Sequence, residues 1–217
     1  MPDEKLTSPT RHESRRLAAI ERTLDAAARL FAEKGYDGTK VAEICAEAGI
    51  AYGTFFNHFS GKRDLLRGLT NRAERRLAER LEALAKESGS IESKLRALLL
   101  ETCGGSEAWD PFQRELQGLI WMTAAAEANV ERDRHFRGAF QSFLSEEVTR
   151  GRVRRDVSVD TMAEIVSSVV ASMALAWVHD ASYPLQERAE AAALFLADAI
   201  APRQNVRPTE SGEGEKA

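Results

Sequence analysis

The chain has 217 residues, of which 43% are hydrophobic and 29% charged, and its net charge is −4. That balance supplies a sizeable core and a solvated surface and excludes a uniformly basic coat, while leaving room for one basic face. No apolar run of about 18 residues is free of charge, and the opening MPDEKLTSPTRHESRR has no apolar stretch, so neither a membrane span nor a secretory signal is expected and the chain reads as cytoplasmic. Cys45 and Cys103 then read as reduced thiols.

Helical periodicity dominates, with Gly and Pro confined to the breaks, so the expected class is all-α. A polar arm over residues 1–14 is expected to be disordered. The first helix is expected from Arg15 to Lys34, stopped by Gly35, with Ile20, Leu24, Ala27 and Phe31 on one stripe. The second runs from Lys40 to Ala48, with Thr39 as N-cap and Gly49 as stop. The third carries TFFNHF, Thr54 to Phe59. The fourth spans Lys62 to Lys86, and the fifth Ile91 to Cys103. Asp110 followed by Pro111 marks the start of the sixth, which runs through Trp121. The seventh covers about Asn129 to Arg150, the eighth Val159 to His179, and the ninth follows Pro184 and ends near Ile200. The polar tail, residues 203–217, is expected to be disordered.

Two short helices joined by AGI have the sequence shape of a helix-turn-helix, with Gly49 in the turn and Ile50 filling the gap between them. At 100° per residue, Phe55 and Phe59 lie about 40° apart and face inward. Thr54 and Asn57 point the other way, while Phe56 and His58 flank the stripe. Tyr52, Thr54, Asn57 and His58 are residue types that donate, accept and stack, which suits base edges and phosphates. Lys40, Lys62 and Arg63 stand in first helical turns, where cations oppose the macrodipole. Together with free backbone N–H groups they suit a phosphate.

The stretch LDAAARLFAEKGYDGTKVAEICAEAGIAYGTFFNHFSGKRDLL, Leu24 to Leu66, closely resembles the DNA-binding domain of TetR-type transcriptional regulators. GRVRRDVSVDTMAEIV looks like the turn between the seventh and eighth helices of that family. The resemblance implies a three-helix DNA-binding domain over residues 15–61 and a larger helical effector-binding and dimerisation domain over residues 62–202. It carries DNA contacts onto Thr39, Lys40, Tyr52, Gly53, Thr54, Phe56, Asn57, His58 and Lys62. Three positions depart from the family pattern: Lys40 and Ala51 replace common Thr and Ser, and Phe56 replaces a Tyr whose hydroxyl reaches a phosphate. Phe56 is therefore expected against a sugar or a thymine methyl, with Lys40 supplying part of the lost phosphate binding.

The apolar eighth helix and the alanine-rich ninth resemble the pair that forms a four-helix interface across a homodimer. Helices four to seven correspond to the region that encloses a small, apolar effector, and Leu99, Phe112, Leu116, Trp121, Phe140 and Trp177 are candidate pocket residues. Glu131 and His135, four apart, read as part of a solvated, ion-paired face rather than a metal site. No phosphate loop, nucleophile elbow or Cys–His cluster appears, so no catalytic residue, metal or cofactor is assigned. The expected function is a sequence-specific repressor released from a palindromic operator in double-stranded DNA by the effector. An activator, a partner-regulated DNA binder, and a helical ligand-binding or ferritin-like enzyme domain are the alternatives.

Overall fold

Residues 10–102, 111–126, 130–180 and 182–203 are described by the computed structural model. Within them the chain forms nine helices and no strand: α1 Arg11–Gly38, α2 Val41–Ala48, α3 Tyr52–Phe56, α4 Lys62–Lys86, α5 Ile91–Thr102, α6 Pro111–Ala126, α7 Val130–Thr149, α8 Val159–His179 and α9 Leu185–Ile200. The all-α class is as expected. Cys103, Asp110, Asn129, the first nine residues and nearly all of the tail lie outside the described residues.

Two boundaries differ from expectation for local reasons. α1 begins at Arg11, inside the expected arm. The Thr10 hydroxyl accepts from the Glu13 N–H, and the Glu13 carboxylate accepts from the Thr10 N–H at 2.8 Å. This reciprocal cap satisfies two N-terminal donors and holds a polar first turn in place. α6 continues past Trp121 to Ala126, since MTAAA contains no helix breaker. The glycine stops behave as expected. Gly35 breaks α1 at φ 74°, and Gly49 closes α2 at φ 64°, where its N–H donates to the Ala46 carbonyl.

The apolar residues sort into two cores. One gathers Leu24, Ala27, Phe31, Ile44, Phe55 and Phe59 with Leu65 and Leu69 of α4. The other gathers Leu81 and Leu84 of α4 with Leu95, Leu99, Phe140, Phe143, Val166, Val170 and Leu196. α4 therefore belongs to both units, and the core of the first extends beyond residue 61. α8 is long and apolar enough to cross a bilayer by length and composition alone. Here it packs against α5, α6, α7 and α9 and buries Met162, Val166, Val170, Met173 and Trp177, so its apolarity serves the core.

The second core also holds a charge pair. Lys94 of α5 and Glu147 of α7 are buried, with Nζ 2.9 Å from Oε1, and Arg152 donates two further bonds to the same carboxylate. Burial opposes the charge on Glu147, yet the bonds from Arg152 and Lys94 hold its carboxyl below the usual glutamate value.

Candidate nucleic-acid interface

The first core determines which face of α3 is free. Phe55 is fully buried and Phe59 nearly so, their rings 5.6 Å apart. The α3 backbone is thereby fastened to α1 and α2. Tyr52, Gly53, Phe56 and Asn57 are exposed, and Thr54 is half-buried at the edge. A Cβ added at Gly53 would meet nothing within 4 Å, so the backbone there is open to close approach. α3 ends at Phe56, with Asn57 as its C-cap and His58 in the following turn. The imidazole Nδ1 of His58 is buried without a hydrogen-bond partner, and the side chain as a whole is half-buried.

Two of the expected DNA contacts, Thr39 and Lys62, are engaged inside the domain. Thr39 is buried, and its hydroxyl lies 2.8 Å from the Gly35 carbonyl and 3.0 Å from that of Leu30. It pins the chain that leaves the Gly35 break, rather than presenting a free hydroxyl or capping α2. The α2 N-terminus is instead capped by Glu43, which accepts from the Lys40 N–H at 2.9 Å and from Lys34 Nζ at 2.7 Å. Hydrogen bonds from Lys34 and then from the Lys40 backbone hold the Glu43 carboxyl below its ordinary value. The Lys62 ammonium donates to the carbonyls of Tyr36 at 2.6 Å and Thr39 at 3.0 Å, approaches that of Asp37 at 3.5 Å, and sits 4.6 Å from the centre of the Tyr36 ring. An ammonium has three donors, and all three have acceptors here. Lys62 thus caps the end of α1. Lys40, at the start of α2, and Arg63, in the first turn of α4, are exposed.

The pocket candidates part company. Leu99 and Phe140 are fully buried in the second core, and Trp177 is buried on α8. Leu116 does not join them. With Ile120, one turn on, it packs against the first core, because α6 lies across α1. The side chains of Phe112, Trp121, Glu131 and His135 lie outside the described residues.

An ionic link between the units was not anticipated. Arg72 of α4 is buried, with Nη1 2.6 Å from Asp25 Oδ1 and 3.6 Å from Glu21, while Arg75 lies 3.4 Å from Glu21. Glu21 and Asp25 are four apart and share a face of α1. That acidic pair, facing the arginine-rich fourth helix, was the available signal.

A helix-turn-helix whose second helix is anchored by buried aromatics and free on its polar side, joined to a larger helical unit, defines the class of DNA-binding regulators with an appended domain. Residues 24–69 match the family model of bacterial regulatory proteins, tetR family. The fatty acid metabolism regulator protein of Bacillus subtilis is 25% identical over 166 residues, which cover 75% of this chain and 85% of that protein. The HTH-type transcriptional repressor AcnR of Corynebacterium jeikeium is 28% identical over 148 residues, covering 68% and 75%. The solved structure of Thermus thermophilus FadR, a TetR-family transcriptional repressor in complex with lauroyl-CoA, aligns with a TM-score of 0.63 at 22% identity, over 87% of this chain and 98% of that one. Residues 24–69 thus carry the TetR-family DNA-binding domain, and most of the chain is similar to TetR-family transcriptional regulators.

Proposed function

We propose that this regulator is a homodimeric repressor that reads a palindromic operator through α3 and leaves it when a small, largely apolar effector binds the second unit. The carrying observation is the division of α3: Phe55 and Phe59 are locked inside, while Tyr52, Phe56 and Asn57 stand free beside Thr54. Asn57 and Thr54 read base edges in the major groove, and Lys40 and Arg63 hold phosphates on either side.

One reading helix covers a single half-site, so two copies are needed at a spacing of about one helical turn. Ile165 of α8 and Leu194 and Phe195 of α9 support the pairing, because these large apolar side chains are exposed in the single chain. Release is a population shift. An effector that binds one arrangement of α4 and α6 better than the other alters the separation of the two heads. α6 is suited to carry the change, since it touches α1, α4 and α8. The relative from Bacillus subtilis is named for fatty acid metabolism, which supports an effector with an acyl chain. The protein acts where the DNA is, in the cytoplasm.

Selection from a random duplex library tests this reading. Enrichment of an inverted repeat bound by two protomers, with dissociation on adding lauroyl-CoA or a similar acyl thioester, is the expected result. Failure to enrich any sequence would leave the reading without support.

A further inference from the structure

The exposed part of α3 is not uniformly polar. Phe56 is 48% exposed, and its ring is fixed on two sides: by the Tyr52 ring edge-on at 5.0 Å and by the buried Phe55 ring at 5.0 Å. A fixed, half-exposed phenylalanine on a reading helix has no donor or acceptor for a phosphate or a base edge. The apolar group offered by major-groove base edges is the C5-methyl of thymine. A ring already held by two neighbours loses little side-chain freedom on contact, so covering a methyl is a net gain.

We infer that Phe56 is a specificity-determining residue that reads the C5-methyl of a thymine in each operator half-site, with Tyr52 holding the ring in position. This rests on the DNA-reading role proposed above and narrows the expected partners of Phe56 from a sugar or a methyl to the methyl. The contact selects T·A over C·G at one position without any hydrogen bond, and it works beside the polar readout by Asn57 and Thr54.

Deoxyuridine, which differs from thymidine only by that methyl, gives a direct test. A duplex selected from a random library with wild-type protein is resynthesised with deoxyuridine at one thymine at a time, symmetrically in both half-sites. At one position the wild type should bind about fourfold more weakly per half-site, the value of one buried methyl. Phe56→Ala should bind the thymine and uracil duplexes equally at that position. The side chain is half-exposed, so its truncation leaves the core intact, which the circular dichroism spectrum and melting temperature would verify. Phe56→Leu, still apolar, should keep part of the discrimination. Uniform wild-type affinity across all uracil substitutions overturns the inference, as does a uracil penalty that survives in Phe56→Ala. If no duplex is enriched at all, it is the DNA-reading role itself that fails.

Discussion

Lys62→Met separates a capping lysine from a phosphate ligand. Methionine keeps the length and apolar stem of the side chain but loses the charge and its donors. Two part-buried bonds to carbonyls, at 2.6 and 3.0 Å, and the contact with the Tyr36 ring at 4.6 Å go with it. At about 1.5 kcal/mol for each bond from a charged donor, the lower end for such bonds, the loss is about 3 kcal/mol before the smaller ring contact is added. The weakened place is the junction of α1 and α2, because the bonded carbonyls belong to Tyr36 and Thr39. Amide hydrogen exchange over Val41–Ala48 should accelerate about 100-fold while the amides of α8 keep their rates. In DNA binding, affinity should fall with the stability of the head, and the salt dependence should keep its slope. A phosphate ligand would do the opposite: exchange would be unaltered and the slope would drop by about one unit for each lysine removed. That second pattern would refute the capping role.

Three further outcomes follow from the packing and charge. Glu147→Ala leaves the buried ammonium of Lys94 without its partner and should cost about 3–5 kcal/mol in urea denaturation. Because the folded Glu147 carboxyl lies below its ordinary 4.5, its contribution is present above that value and is lost as pH falls through the lowered one. Stability should therefore drop on acidification from about pH 5, and Glu147→Gln should flatten that limb. Gly118→Ala should destabilise more than Gly68→Ala. The new methyl would meet the branched, stiff Val178 at 2.5 Å in the first case and the movable tip of Leu24 at 2.8 Å in the second. About 1–3 kcal/mol is expected for the former, and equal melting temperatures would contradict the ranking. Phe195→Glu, at the most exposed large apolar residue of the described chain, should weaken self-association by at least about 3 kcal/mol, since a two-fold interface contains the site twice. Sedimentation at micromolar concentration reads the change, and an unaltered dimer would move the interface elsewhere.

Most of the fold was legible because helices announce themselves locally. The 3.6-residue stripe of α1, the glycines at 35 and 49, and the interior pair Phe55 and Phe59 follow from short-range geometry. The start of α1 differs for a local reason: the polar RHES of residues 11–14 looks disordered unless the Thr10 and Glu13 cap is weighed against it. The roles of Thr39, Lys62 and Leu116 were beyond local reading. Each has a residue type suited to two jobs, and the choice depends on partners far away in the chain. The Lys62 ammonium finds carbonyls at Tyr36 and Thr39, and Leu116 finds the first core because α6 crosses α1. Spacing along a sequence carries no such information. The same holds for Arg72, whose partners Glu21 and Asp25 lie on another helix.

The proposed reading of one operator half-site per protomer by α3, with Lys40 and Arg63 on phosphates, is tested most directly by binding to a selected inverted repeat and to a scrambled duplex across a range of salt, for wild type and Asn57→Ala. Two phosphate-holding cations in each of two heads predict that log K falls linearly with log salt, with a slope of about −4. Asn57→Ala should keep that slope and lose about 1–3 kcal/mol of preference for the selected duplex in each half-site. Equal affinity of the wild type for both duplexes, or binding that ignores salt, would contradict it.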